Sequence, residues 1–165
     1  FTKSPAAGML SGQQPYPAGT GNYHHEIEYV LGLGPAGVFE YVGVGLDMTR
    51  RDLQAQAKDK RRSWDLGKDF EGAAVFGPLT KVEGGFPRDG LEIRLDVNGV
   101  RTQTGELTDM IWSPVEILSH LAGFYTLGAG DVIMTGTPSG VGPVVAGDHL
   151  HGEIDGLEPV TLEII

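Results

Sequence analysis

Glu26 and Glu28 stand two residues apart. In an extended strand, residues i and i+2 point to the same face. Two carboxylates side by side repel each other, so the pair is either a solvated strand edge or one wall of a cation site. Asp47 favours the cation site. It closes the apolar run 42–46, just before a helix start, and strand-to-helix junctions are common places for functional groups. Its simpler role there would be to cap the helix near Thr49. Three oxygen ligands from two strands suit a hard ion such as Mg²⁺ or Mn²⁺, with Ca²⁺ as a substitute. Zinc fits less well, because the chain has no cysteine and only His24 and His25 lie nearby.

Other polar residues could serve such a site. Arg51 and Gln54 are three apart on the expected first helix, so they share a face near Asp47. Arginine offers a two-pronged donor to a substrate carboxylate; the plainer reading is a solvated pair. Lys68 lies between Gly67 and Asp69, after Trp64. A lysine beside a metal can hold an enolate or a carboxylate, although a lone lysine does not by itself mark such a site. The run Thr135-Gly136-Thr137-Pro138-Ser139-Gly140-Val141-Gly142 follows an expected buried strand. Its glycines allow close backbone approach and its hydroxyls can donate, but it lacks the Gly-Lys-Ser/Thr of a phosphate loop. Of His24 and His25, one is expected to pack and one to face solvent. There is no Gly-x-Ser-x-Gly elbow for a serine nucleophile.

Mostly strands must position these groups. Residues 5–22, rich in Gly, Pro, Ser and Gln, read as loop. Residues 23–33 alternate and read as one strand, ended by Gly32, Gly34, Pro35 and Gly37; residues 38–46 form a second. Thr49 with Asp52 three residues later predicts a capped helix reaching about residue 60. The chain around Lys68 is irregular, punctuated by Gly72, Gly77, Pro78, Gly84, Gly85 and Pro87. Asn98-Gly99 suits a type I′ turn within a hairpin over 91–104. Ser113-Pro114-Val115-Glu116 is a strong helix start, with Ile117, Leu118, Leu121 and Phe124 on one apolar face. Residues 131–135 read as a short buried strand, and Asp155-Gly156 as the turn of a last hairpin in which Val160, Leu162 and Ile164 alternate. The expectation is a mostly β (α+β) single domain over 1–165 with two helices.

Composition narrows the classes. The formal net charge is −10, which repels nucleic-acid phosphates. The basic run 58–62 reads as a solvated helix end. Without cysteine there is no disulfide, thiolate metal site or cysteine nucleophile. No apolar run approaches the ~18 residues of a membrane span. The expected setting is cytoplasmic, with neither nucleic acid nor membrane as a partner. With 26 Gly and 10 Pro, the chain favours many short strands over a helix bundle.

Taken in order, four segments resemble the fumarylacetoacetate hydrolase family. They are His24-His25-Glu26-Ile27-Glu28, then Gly45-Leu46-Asp47-Met48-Thr49-Arg50-Arg51-Asp52-Leu53-Gln54, then Trp64-Asp65-Leu66-Gly67-Lys68, then Gly130-Asp131-Val132-Ile133-Met134-Thr135-Gly136-Thr137-Pro138. The resemblance covers nearly the whole chain. It implies a mixed β-roll or barrel-like core with a few short helices, usually a homodimer. It implies hydrolysis of a C–C bond in a 1,3-diketone acid, although some members decarboxylate or isomerise oxo acids. Glu26, Glu28 and Asp47 would bind Mg²⁺ or Mn²⁺. Lys68 would serve the metal's surroundings and the substrate, and Arg51, Gln54 and Thr137 would contact a 2-oxo acid substrate.

The segment Thr49 to Gln54, with Met110-Ile111-Trp112, looks most like members that cleave fumarylpyruvate to fumarate and pyruvate in gentisate breakdown. Alternatives on the same site are an oxaloacetate-type decarboxylase, an oxo-acid isomerase, or a lid-less relative that binds metal and oxo acid without catalysis. The family's usual base, a His-x-x-Glu pair in an N-terminal lid, would precede Phe1, so the chain is expected to lack that lid. The spacing from Glu26 to Asp47 is also shorter than the family's, around residues 34–38.

Overall fold

The structure is a computed structural model describing residues 1–83 and 89–165. Of the expected turn residues, Gly84, Gly85 and Pro87 lie outside that range. In chain order the strands of the first half are β1 (Gly8–Leu10), β2 (Gly12–Gln14), β3 (Tyr23–His25), β4 (Ile27–Leu33), β5 (Phe39–Asp47), β6 (Thr49–Arg50), β7 (Ala74–Phe76) and β8 (Thr80–Lys81). Those of the second half are β9 (Glu92–Val97), β10 (Val100–Glu106), β11 (Val132–Met134), β12 (Gly142–Val144), β13 (His149–Ile154) and β14 (Val160–Ile164). The α-helices are α1 (Arg51–Asp59), α2 (Asp65–Lys68) and α3 (Pro114–Ala122).

The mostly β expectation holds. One sheet runs β1-β7-β5-β4-β11, with β8 also on β5; a second runs β10-β9-β13-β14-β2; a small third runs β12-β3-β6. The two large sheets share one core. Ile27, Leu46 and Val75 of the first pack in the same apolar cluster as Leu95, Leu150, Ile154 and Leu162 of the second. Every side chain of β4 is buried, so this strand has no solvent face.

Several expectations need correction. Residues 5–22 are not all loop: β1 pairs parallel with β7 and β2 parallel with β14. Short edge strands satisfied by distant backbone leave little local pattern to read. Residues 23–33 are two strands, because the chain leaves the small sheet and enters the large one at Glu26. Thr49 caps nothing. The residue before α1 is Arg50, with no side-chain cap, while Asp52 accepts from Thr20 Oγ1 at 2.6 Å and the Gly21 N–H at 2.7 Å. Lys68 ends a third, four-residue helix, α2, where irregular chain was expected. Phe124 is exposed, although Ile117, Leu118 and Leu121 do pack against the core. On β11 only Ile133 is buried; Val132 is exposed.

Other expectations stand. Asn98 and Gly99 both have positive φ, at 53° and 75°, as a type I′ turn requires. Ser113 and Glu116 form a capping box on α3. Val160, Leu162 and Ile164 are buried on β14. The turn between β4 and β5 is closed by Gly34 N–H to Val38 O at 2.9 Å and Gly37 N–H to Gly34 O at 3.0 Å.

Candidate metal centre

The break at Glu26 builds the centre. Glu26 lies between β3 and β4, Glu28 lies on β4, and Asp47 is the last residue of the antiparallel neighbour β5. The Asp47 N–H donates to Glu26 O at 2.8 Å, which fixes the two backbones side by side. Ligand oxygens of Glu26, Glu28 and Asp47 lie within 4.8 Å of one another, and all three residues are buried. Three carboxylates so close, away from water, cannot all stay ionised without compensating positive charge.

Part of that charge is built in. Lys68 is 2% exposed. Its Nζ donates to Glu26 Oε2 at 2.8 Å, Asp47 Oδ2 at 2.6 Å and Thr49 Oγ1 at 2.6 Å. The helix that carries it is seated by Gly67: a Cβ there would meet the Gln54 backbone nitrogen at 2.9 Å, so α2 lies directly on α1. Arg51, at the start of α1, donates from Nη2 to Glu26 Oε1 at 2.6 Å and from Nη1 to Gln54 Oε1 at 2.7 Å. Its Nε faces His24 Nδ1 at 3.4 Å. Lys3 is a second ammonium, 2.8 Å from Asp47 Oδ1; it also reaches the Lys68 carbonyl.

Glu28 is treated differently. Among the described residues it has no ion pair, and its Oε2 accepts from the Gly136 N–H at 2.7 Å. Burial, and then the Asp47 carboxylate, push its pKa up to about 8. Burial also lowers the pKa of Lys3, although Asp47 opposes this.

These features test whether a metal fits. The donors are all carboxylate oxygens, the set preferred by hard divalent ions. Asp47 Oδ1 is buried and makes no aligned hydrogen bond, despite the nearby Lys3 charge. Glu28 needs positive charge to ionise at neutral pH. A divalent cation would answer both needs, so the residues fit Mg²⁺ or Mn²⁺, with Ca²⁺ as a substitute.

The structure therefore brings Glu26, Glu28, Asp47, Arg51, Gln54 and Lys68 together. Thr137 joins through the loop, one residue after the Gly136 N–H that holds Glu28. A cleft of about 410 Å³ opens on the Thr137 side, lined in part by Tyr29, Met110, Trp112, Gly136, Thr137 and Pro138. Glu26, Glu28 and Asp47 do not line it. His25 is buried and His24 half-buried, near the expected split.

Sequence reasoning misses Lys3, Thr49 and Gln103. Thr49 reads as a cap, and a lone lysine or glutamine carries no local signal.

The family model described as fumarylacetoacetate (FAA) hydrolase C-terminal matches residues 2–164. The chain belongs to the fumarylacetoacetate hydrolase family. Within it, the chain is 42% identical to a fumarylpyruvate hydrolase of Ralstonia sp, over 99% of this chain and 91% of that protein. It is 38% identical to the mitochondrial oxaloacetate tautomerase of Homo sapiens, over 90% of this chain and 72% of the relative. Among solved structures, the fumarylpyruvate hydrolase of Pseudomonas aeruginosa in complex with Mn²⁺ and pyruvate superposes with a TM-score of 0.94. That match has 37% identity and covers all of this chain and 77% of the other. The family fold expected from the four segments is thus the fold observed.

Proposed function

We propose that this chain is a metal-dependent hydrolase that cleaves the C–C bond of an acylpyruvate, with fumarylpyruvate and water giving fumarate and pyruvate. The observation that carries this reading is the buried triad Glu26, Glu28 and Asp47 with Lys68 set among its carboxylates. Its likeness to fumarylpyruvate hydrolases supports the substrate. In this reading Glu26, Glu28 and Asp47 hold Mg²⁺ or Mn²⁺. When bound, that ion supplies Lewis-acid stabilisation of the negative charge that develops on a 2-oxo acid.

The chain's own residues do the rest. Lys68 is the catalytic cation: its ammonium stabilises the enolate that departs as pyruvate. Arg51 and Gln54 meet a substrate carboxylate. Because Gln54 Oε1 is occupied by Arg51, its amide N–H groups are the end left to donate. Thr137 offers a hydroxyl to the substrate from the cleft side.

In the same reading the protein is a cytoplasmic homodimer acting in gentisate breakdown. Among the described residues, no helix is long and apolar enough to cross a membrane. Ile111, Val115, Phe124 and Tyr125, on or flanking α3, are exposed apolar side chains of the kind a second copy would cover. Light scattering giving twice the chain mass would support the dimer, and a single-chain mass would remove it.

The test of function is turnover of fumarylpyruvate after chelation and after Mn²⁺ is restored. The expected result is metal-restored loss of the substrate's enol absorbance with stoichiometric pyruvate. Tight Mn²⁺ binding without turnover overturns the reading. A second reading, enol–keto or decarboxylation chemistry on oxaloacetate, draws on the likeness to the human tautomerase. Product analysis with oxaloacetate separates the two.

A further inference from the structure

Gln103, on β10, is 1% exposed. A buried carboxamide is costly unless both its ends are paired, and here all four of its bonding positions are used. Oε1 faces His25 Nδ1 at 2.9 Å and accepts from the Ile27 N–H at 3.1 Å. Nε2 donates to Thr137 Oγ1 at 2.9 Å and to Pro138 O at 2.9 Å.

Two of these partners are backbone groups that cannot change role. The Ile27 N–H only donates, so it demands the oxygen end. The Pro138 carbonyl only accepts, so it demands the nitrogen end. The orientation of the amide is thereby fixed. The side-chain partners must follow. His25 carries a proton on Nδ1. Thr137 Oγ1 accepts from Gln103, which leaves its single O–H hydrogen to point elsewhere. Ile27 sits between Glu26 and Glu28, and Thr137 adjoins the Gly136 that holds Glu28. One side chain thus ties the carboxylate strand to the loop.

We propose that Gln103 is a positioning residue for substrate: its carboxamide holds the Thr137 hydroxyl in the donating orientation and fixes that hydroxyl against the strand bearing the metal ligands. This rests on the reading that Thr137 donates to a 2-oxo acid. Gln103→Glu keeps the end that accepts from Ile27 but replaces the donor by an acceptor. The Thr137 hydroxyl then turns to donate to the new carboxylate and is withdrawn from substrate.

The experiment is a double-mutant cycle of Gln103→Glu with Thr137→Val, read by calorimetric affinity for pyruvate and, separately, for Mn²⁺. In the Thr137 background, Gln103→Glu is expected to weaken pyruvate binding roughly tenfold, the scale of one hydrogen bond lost in a closed site. Mn²⁺ affinity should stay within about threefold. In the Thr137→Val background, the same change should move pyruvate affinity by less than about twofold, because the hydroxyl it acts through is gone. Equal losses in both backgrounds, or no loss in the first, overturn the inference while leaving the function intact. Absence of pyruvate binding by the Mn²⁺-loaded wild type overturns the function and the inference together.

If Gln103→Glu does not fold, nitrogen NMR of the wild type decides. The neutral His25 ring should carry its proton on Nδ1, and Thr137→Val should strip exchange protection from one of two protected Gln103 amide protons. A proton on Nε2 alone, or unchanged protection, overturns the inference.

Discussion

Lys68 and Arg94 are each cations facing three side-chain acceptors, yet they do different things. Lys68 meets Glu26, Asp47 and Thr49 at 2.6–2.8 Å. Arg94 meets Glu153 at 2.9 Å, Asp155 at 2.6 Å and Glu92 at 3.3 Å. Lys68 is buried between elements that contact one another only through tertiary structure, whereas Arg94 lies on the outer face of β9 among half-exposed acids. Around Arg94, water and salt can replace any partner, so the pairs are worth little. Around Lys68 the carboxylates are closed off from water and share only the fixed cations Lys3 and Arg51, so losing one partner leaves a buried charge poorly compensated. The contrast teaches that burial, not the number of ion pairs, turns an acidic cluster into a chemical site.

The contrast should be sharpest in activity. Asp47→Asn is expected to lower turnover by at least ~10³-fold and Mn²⁺ affinity by at least ~100-fold, since in the proposed function it removes a charged ligand. Lys68→Met should lower kcat by about 10²–10³-fold with Mn²⁺ still bound, because in the proposed function it removes the donor that meets developing charge. Turnover assays with metal titrations separate the two. A Lys68→Met enzyme of wild-type kcat would break the comparison, as Lys68 would then be only structural.

Next in size is the pH dependence of the metal-free protein. The Glu28 pKa stands at about 8 in the folded state against an ordinary 4.5. A raised carboxyl pKa means that the folded chain binds the extra proton. Its contribution to stability is therefore fully present below about pH 4.5 and lost as pH rises toward 8. His24 and His25 act in the opposite sense, because burial lowers their pKa values from 6.5. Subtracting a Glu28→Gln variant cancels their share. Without metal, Glu28→Gln should gain on the wild type by a few kcal/mol between about pH 5 and 8, since a tenfold change in proton affinity is worth ~1.4 kcal/mol. Excess Mn²⁺ should reverse the order at pH 8. Denaturant melts at both pH values, with and without Mn²⁺, read this directly; a pH-independent difference would show that Glu28 is already ionised.

The two regions also differ in how much of each was legible in the sequence. The β9–β10 hairpin declares itself through alternation and Asn98-Gly99, and α3 through its capping box, because both depend on neighbours in sequence. The triad is legible as types and spacing: two acids two apart, and a third ending an apolar run. Whether they converge is not, because that depends on β4 pairing with β5 and on the chain changing sheets at Glu26. Lys68 becomes clear only by resemblance. Its burial depends on α2 lying against α1 at Gly67, and no periodicity encodes that. Lys3, Thr49 and Gln103 are invisible for the same reason: the site partners that give them their roles, Asp47 for Lys3, Lys68 for Thr49 and His25 for Gln103, lie 44, 19 and 78 positions away along the chain. Thr49 misleads because Thr-x-x-Asp before a helix is also what a cap looks like.

Gly67→Ala tests that packing with an intermediate effect. An added methyl must displace Gln54 backbone rather than a pliable side chain, so α2 should lift from α1 and carry Lys68 off its partners. The expected cost is about 1–3 kcal/mol of stability together with a roughly ten-fold or greater fall in kcat. Unchanged kinetics would show that Lys68 is seated by its ion pairs alone.

The smallest effect belongs to Arg94. Arg94→Gln removes the cation that lowers the Asp155 pKa and, second to the His151 hydrogen bond, the Glu153 pKa. Those groups lie in water and are ionised either way at neutral pH. The melting temperature should move by no more than about 3 °C, less still at high salt, and kcat and KM should not change. A larger loss that persists in salt would mean that this surface network carries strain or packing beyond its charges. The line between the two clusters would then have to be drawn by the elements each one joins rather than by burial.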